Sequence, residues 1–370
     1  MIIRKLELKN FRNYLDLNIS FDEGINLILG NNAQGKTNLI EALYITSMGK
    51  SFRTKNDREL INFNENNAFI KVIAEKEDFD VEIEVELEKK ASNSSIKRIK
   101  KDRKTLSKTS ELIKNILIVV FSPEDLKLIK DEPEKRRRFL DREMCQISPL
   151  YYDNYSNYKR VLRQRNILLR ENNINLELLD VWDEQLINYG SMMIQMRNDF
   201  IKKLCKISQN IHSGITNKEE NIEILYEPNV NLKENLDEQR NEFRDSIIRR
   251  RERDIETRTT SVGPHRDDLG FYVNGIDMRN FGSQGQQRTC ALSLKLAELA
   301  LIKEETEEEA ILLLDDVMSE LDYKRQEYLI KTLSKNQLFI TATDMDKNVL
   351  SKIENASIYS VMNGKVEKVN

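Results

Sequence analysis

Gly30-Asn31-Asn32-Ala33-Gln34-Gly35-Lys36-Thr37 fits the pattern G-x-x-x-x-G-K-[ST]. In that pattern glycines let backbone N–H groups close around phosphates, the lysine reaches the β and γ oxygens, and the hydroxyl binds Mg2+. The apolar run Ile25 to Leu29 precedes it, and Asn38-Leu39-Ile40-Glu41-Ala42-Leu43 reads as a helix after it. Strand, loop and helix in that order are the context the pattern needs. Gly30 to Thr37 are therefore expected to bind ATP or a similar nucleotide, with Thr37 on the metal.

An acidic partner follows far downstream in Leu312-Leu313-Leu314-Asp315-Asp316. The run Ala310 to Leu314 suits a parallel strand buried on both faces, and it delivers its carboxylates at the C-terminal end, where open α/β sheets bind ligands. Asp315 is expected on Mg2+ with Thr37, and Asp316 beside the γ-phosphate, where it orients or deprotonates the attacking water. Taken alone, the pair would read first as a helix N-cap pair after a core strand; the phosphate loop upstream favours the metal and water roles. Phe281-Gly282-Ser283-Gln284-Gly285-Gln286 precedes a helical segment, Gln287 to Glu304. Ser283, Gln284, Gly285 and Gln286 thus form a second anion-binding helix start. One chain needs one phosphate loop, so this start is expected to address nucleotide held by another copy.

These three stretches, with Ser319-Glu320-Leu321-Asp322, resemble the ABC-type ATPase heads of the SMC branch. Within that branch four further stretches resemble the bacterial RecF family of recombination and repair proteins: Asn10-Phe11-Arg12-Asn13-Tyr14, Phe121-Ser122-Pro123-Glu124-Asp125-Leu126, Arg136-Arg137-Arg138-Phe139-Leu140-Asp141, and Thr260 to Asp268. The resemblance runs essentially end to end. It implies an α/β fold, an ABC/SMC-type P-loop ATPase head with a mixed sheet plus an inserted compact α-helical subdomain. Residues 1–122 and 260–370 would form the head and residues 123–259 the helical arm. It also implies two heads sandwiching two ATP molecules, loop of one against signature of the other. The activity implied is that of a weak, DNA-stimulated ATPase acting as a switch in DNA replication, recombinational repair and the SOS response. ATP and Mg2+ are its cofactors; DNA, RecR, RecO and the recombinase RecA are its partners, with RecA placed at gapped DNA. Arg12 resembles the N-terminal arginine that such heads direct at phosphates. The chain departs from the wider pattern at three places: Thr343 stands where ABC-type heads place a switch histidine, Asp316 where most have Glu, and Phe52 where many relatives have His. The shorter Asp316 is expected to slow hydrolysis.

Net charge is −3 over 370 residues, so a DNA-binding reading cannot rest on global basicity. It rests on clusters. Lys97, Arg98, Lys100, Lys101, Arg103 and Lys104 are the densest, followed by Lys135 to Arg138, then Lys159-Arg160 with Arg163, Arg165 and Arg170, then Arg249-Arg250-Arg251 with Arg253. No stretch approaches the ~20 apolar residues of a membrane helix, and Cys145, Cys205 and Cys290 are too scattered for a metal site, so a soluble cytoplasmic protein is expected. The alternative is the ATPase subunit of a membrane transporter, which has no use for a basic helical insertion before its signature. No N-K-x-D motif appears, which disfavours GTP.

Ile2 to Leu8, Leu15 to Phe21 and Val81 to Leu87 alternate apolar with polar, as half-buried antiparallel strands do. Ala91 to Lys108 loses the pattern and reads as an exposed, mobile hairpin tip. Ser148 to Glu171, Leu176 to Gln209 and Leu232 to Glu256 read as helices, and Leu178, Val181, Trp182, Gln185, Leu186, Tyr189, Met192, Met193 and Met196 are expected to pack as a stripe. Phe271 to Met278 reads as a hairpin on an Asn-Gly turn, and Gln337 to Asp344 as a strand. His265 is expected to be structural, and Glu124 to cap the turn after Pro123 or to sense Mg2+.

Overall fold

The computed structural model describes residues 1–90, 94–333, 336–343 and 356–369. They form two compact units, Met1–Leu126 with Glu298–Asn370, and Lys127–Ala297. The second division falls within a helix, so Thr260 to Ala297, expected with the head, clusters instead with the helical unit.

The first unit carries two sheets. Strands β1 (Ile2–Phe11), β2 (Tyr14–Ser20), β4 (Asn67–Glu75), β5 (Asp80–Lys89), β6 (Ser95–Lys101) and β7 (Lys104–Thr105) form an antiparallel sheet in the order β2-β1-β4-β5-β6-β7. Leu8 lies opposite Ile70, and Ile70 opposite Val85. All three are fully buried, so a slip of one residue would turn this apolar face to water. The second sheet holds β3 (Ile25–Leu29), β8 (Ile118–Phe121), β12 (Ile311–Asp315), β13 (Leu338–Ala342), β14 (Ser357–Met362) and β15 (Lys365–Lys368). Its order is β15-β14-β3-β13-β12-β8, parallel except for the β14–β15 pairing at one edge. Helices α1 (Lys36–Met48) and α8 (Tyr323–Thr332) complete the unit.

The predicted loose tip is corrected. Ser95 to Lys101 is a strand in register with β5, pairing Lys100 with Glu84 and Arg98 with Glu86. Lys100 Nζ lies 2.5 Å from Glu86 Oε1, and Ile99 is buried. The strand is held by charge complementarity across the ladder, which an apolar-alternation criterion does not detect. Residues 91–93 of that tip lie outside the described residues.

The second unit contains α2 (Pro133–Ile147), α3 (Pro149–Leu168), α4 (Leu176–Ile215) and α5 (Leu236–Thr257). It also holds a three-stranded sheet of β9 (Ile222–Glu227), β10 (Asp268–Val273) and β11 (Ile276–Asp277), then α6 (Met278–Phe281) and the start of α7 (Gln284–Thr306). The Asn-Gly turn is as expected, with Asn274 and Gly275 both at positive φ, but the hairpin pairs with β9, a strand the sequence did not announce. The packed face of α4 is corrected in part. Leu186 and Met193 are buried as expected, but Leu178 and Val181 are exposed, and the buried face also takes in Leu179, Asp183, Ile187, Gly190, Ile194 and Arg197. Two charged residues face inward because buried partners await them, and Gly190 does so because a Cβ there would lie 2.4 Å from the Phe243 ring.

Three arginines without solvent exposure or nearly so, Arg136, Arg165 and Arg197, hold this unit together. Arg165 bonds Asp183 at 2.5 Å and Asp254 at 2.8 Å, joining α3, α4 and α5. Arg197 reaches Tyr151, Asp141, Asp267 and the Pro264 carbonyl. Arg136 forks onto Asp268, and Arg137 donates to the Asp267 carbonyl. Thus Arg136 and Arg137, two members of the second basic cluster, serve the interior of this unit.

His265 is structural. Its Nδ1 accepts from the Tyr158 hydroxyl at 2.6 Å and its Nε2 donates to the Thr260 carbonyl at 3.0 Å, a neutral tautomer. Burial, helped by Arg266, Arg137 and Arg197, lowers the imidazole to about 4. The unfolded chain therefore takes up this proton first, and stability falls as pH drops from the ordinary histidine value toward about 4. The contribution is on the order of 3 kcal/mol. NMR should find the His265 imidazole neutral at about pH 5, and His265→Gln should shrink the acid-side loss seen in urea denaturation.

Candidate nucleotide site

The parallel register β3–β13–β12 sets the site. Leu27 lies opposite Ile340, Leu314 opposite Ile340, and Asp315 opposite Thr341. The chain leaving β3 and the carboxylate ending β12 thereby emerge at the same sheet edge. Thr37 Oγ1 donates to Asp315 Oδ1 at 3.0 Å, and Thr341 Oγ1 donates to the same oxygen at 2.8 Å. Burial raises the Asp315 carboxyl, against hydrogen bonds from Thr341 and Thr37 that hold it down. A buried carboxylate beside a hydroxyl offers hard oxygen donors and is relieved by a cation, so these two residues fit Mg2+.

Lys36 is buried, and its Nζ donates to the carbonyls of Gly30 at 2.6 Å and Asn31 at 3.1 Å. Helix α1 starts on Gly35 with no side-chain cap and no acidic residue in its first turn, leaving its amides for an anion. Two turns brace the loop. Asn13 Nδ2 donates to the Gln34 carbonyl at 2.8 Å and the Tyr14 hydroxyl to the Gly35 carbonyl at 3.0 Å. From the β14–β15 turn, Asn363 N donates to Gln34 Oε1 at 2.6 Å. Backbone packs so closely that a Cβ on Gly30 would lie 2.4 Å from the Val361 carbonyl. Asn32 and Ala33 sit on the exposed crest, Ala33 at φ 64°.

Asp316 follows in the left-handed region, φ 56° and ψ 13°, capping a short turn Val317–Glu320. Its N–H donates to Thr341 Oγ1 at 3.0 Å, and its carboxylate has no hydrogen-bond partner among the described residues. Thr343 follows β13 and is exposed. The turn after Pro123 is capped by Asp125, which accepts from Ser122 N and Oγ at 2.8 and 2.9 Å; Glu124 is exposed.

Arg12 lies in a fork on Glu41, with contacts of 2.9 and 2.8 Å, and donates to the Glu59 carbonyl at 2.9 Å. Glu41 is wholly buried and also receives Ser51 at 2.5 Å and Arg53 at 3.4 Å. Glu41 was missed in the sequence, although a lone carboxylate inside Leu39-Ile40-Glu41-Ala42-Leu43 is the signal that marks such a residue.

The signature residues lie in the second unit. Ser283 and Gln286 form a reciprocal capping box: Gln286 N donates to Ser283 Oγ at 3.2 Å, and Ser283 N to Gln286 Oε1 at 3.1 Å. Ser283, Gln284 and Gly285 are exposed. Gln286 is further tied to Glu220 at 2.9 Å, and Glu220 to buried His212 at 3.2 Å. The S-x-x-Q spacing carried the capping signal; Glu220 and His212 carried none.

Residues 2–367 match the model of the RecF/RecN/SMC N terminal domain. The chain is 47% identical to "DNA replication and repair protein RecF" of Alkaliphilus oremlandii, over 99% of this chain and 100% of that one. The chain belongs to the RecF family. Its RecF relative from Lachnoclostridium phytofermentans is 44% identical over the full length of both. A solved structure of the recombination mediator RecF with ATP superposes with TM-score 0.90 at 37% identity, covering 100% of this chain and 98% of that one. An SMC head bound to the winged-helix domain of ScpA superposes with TM-score 0.55 at 15% identity, a likeness of fold. The RecF assignment leaves the transporter alternative without support. Among the described residues no helix is long and apolar enough to cross a membrane.

Removing Arg12 strands a buried carboxylate. Arg12→Ala should cost about 3 kcal/mol in urea denaturation, and the double variant Arg12→Ala/Glu41→Leu should recover much of it, since no uncompensated charge remains.

Proposed function

We propose that this RecF-family chain is an ATP-driven switch on DNA, in which two copies close over nucleotide while bound to DNA and hydrolysis releases them. The observation that carries the reading is the convergence of the loop hydroxyl of Thr37 and the strand-end carboxylate of Asp315 at 3.0 Å. The ATP complex of a similar RecF supports the choice of nucleotide. The backbone of Gly30 to Thr37 would cradle the phosphates, and Lys36 would exchange its carbonyl contacts for the β and γ oxygens. Thr37 and Asp315 would hold Mg2+, which supplies charge neutralisation at those oxygens. For Arg12 to reach a phosphate it would give up the Glu41 fork; its role is otherwise to neutralise the buried Glu41 of α1 and tie it to the Glu59 carbonyl. Asp316, whose carboxylate has no hydrogen-bond partner among the described residues, would orient the attacking water and accept its proton. Ser283 to Gln286, at an exposed helix start, would address the γ-phosphate of the opposing copy. A similar RecF is described as a recombination mediator in the RecFOR pathway, which supports RecO and RecR as partners and RecA delivery to gapped DNA as the outcome.

Lys36→Ala should abolish ATP-dependent retention on gapped DNA in filter binding; normal retention by the folded variant would refute the switch. Ser283→Arg should bind ATP as a monomer yet give no ATP-induced dimer in sedimentation. Asp316→Asn should bind ATP, dimerise and remain longer on DNA, with single-turnover hydrolysis slowed by ~10² or more.

A further inference from the structure

The four basic clusters are not equivalent once their partners are known. In the first, Lys97 is paired with Asp57 at 2.7 Å, Arg98 with Glu88 at 3.5 Å and Lys100 with Glu86 at 2.5 Å, against a β5 strand carrying Glu82, Glu84, Glu86 and Glu88. In the second, Arg136 is buried on Asp268, and Lys135 and Arg138 close i,i+4 pairs with Asp131 and Glu134. A phosphate arriving at these residues must displace carboxylates already in place, whereas Lys101, Arg103 and Lys104 of the first cluster make no ion pair with any described residue. In the fourth, Arg249 and Arg251 are likewise paired, with Glu242 and Asp180. Arg160, Arg163, Arg170, Arg250 and Arg253 are exposed, and none makes an ion pair with any described residue.

These arginines also share one surface of the helical unit. Arg163 and Arg170 border a concavity along α3 that includes Asn166 together with Leu162 and Ile167. Arg249, Arg250 and Arg253 line a second, of about 550 Å3, with Asn229, Ser246 and Ser261. Asn166 Oδ1 accepts from Thr260 N at 2.8 Å and from Thr260 Oγ1 at 2.7 Å, which ties the lining of the first concavity to the chain segment that contributes Ser261 to the second. The buried Arg165–Asp254 pair at 2.8 Å clamps α3 to α5 beneath them. Burying Arg165 turns Arg163, two residues away on α3, outward, and burying Asp254 turns the adjacent Arg253 off the buried face of α5.

We propose that this α3–α5 surface is a binding track for the phosphodiester backbone of nucleic acid. The inference rests on the DNA-binding reading above and assigns it a place. Planar guanidinium groups match phosphate oxygens bidentately, and the hydroxyl and amide groups between them are the usual further donors to a backbone. The larger concavity offers a single aliphatic side chain, Val262, which suits a phosphate contact better than a protein interface built on an apolar core. Backbone contact without base-edge contact makes the track indifferent to sequence.

The test uses the full chain with ATP and measures anisotropy of labelled gapped DNA across a salt titration, with binding of a fluorescent ATP analogue in parallel. Arg163→Glu/Arg170→Glu and Arg250→Glu/Arg253→Glu should each lower the salt slope by about 2 and weaken DNA binding at least ~10-fold, while nucleotide affinity holds. Lys331→Glu, on the first unit, should keep the parental slope. The Gln versions of both pairs should show a smaller loss, which separates charge from misfolding. Parental slopes in both arginine pairs, with ATP-dependent retention intact, would overturn the track and leave the switch standing. Loss of binding to an acidic polyglutamate probe but not to DNA in the paired variants would overturn it equally. Failure of the unsubstituted protein to bind DNA with ATP would remove the switch reading and the track together.

Discussion

The hydrogen bond from Thr37 to Asp315 links residues 278 positions apart, and the proposed chemistry depends on it. It exists because three buried parallel strands lie in a fixed register, with Leu27 and Leu314 both opposite Ile340. Their side chains are packed on both faces, so register cannot slip without burying the wrong groups. Thr341, at the end of the middle strand, then bonds Asp315 through its hydroxyl and receives the Asp316 N–H at 3.0 Å. One side chain thus orients the metal-fitting carboxylate and the backbone of the proposed water-activating one.

The two units are held together internally by different means. The nucleotide-binding unit rests on apolar faces, and the wholly buried carboxylate of Glu41 is held by Arg12, Arg53 and Ser51. The helical unit places three arginines in its interior, each with carboxylate partners. Buried ion pairs return little net stability, because desolvation offsets the attraction, but a charge without its partner is costly. They therefore select one arrangement of α2, α3, α4 and α5 over alternatives that would strand a charge. Asp267 joins this network through Arg197, Tyr226 and Asn229 N, which ties Thr260 to Asp268 to the helices of this unit.

The parallel strands, the phosphate loop and the helix after it were legible because each is local: short, four-fifths apolar strands at Ile25–Leu29 and Ile311–Asp315, and a loop pattern of glycines at set spacing. Strand β6 was not legible. Its stability comes from Glu and Lys side chains facing one another across β5, and no property of Ser95 to Lys101 alone records the neighbour. The stripe on α4 was misplaced in part, for a related reason. Counting apolar residues favoured Leu178 and Val181, whereas Asp183, Gly190 and Arg197 turn inward because of what Arg165, Phe243 and Asp267 present to them.

By itself, then, the sequence determined which residues could hold phosphate and metal, since Lys36, Thr37, Asp315 and Asp316 are chemically suited to that work wherever they lie. The family resemblance was legible for the same reason, because short motifs are local. Tertiary structure alone decided which charges are spent. Arg136 and Arg165 look like members of basic clusters in the sequence, and burial on carboxylates removes them from the surface. Arg163 and Arg253 remain exposed because the neighbouring Arg165 and Asp254 point inward to each other at 2.8 Å. Charge counts along a chain are additive, but exposure is set by partners that arrive from elsewhere in the fold.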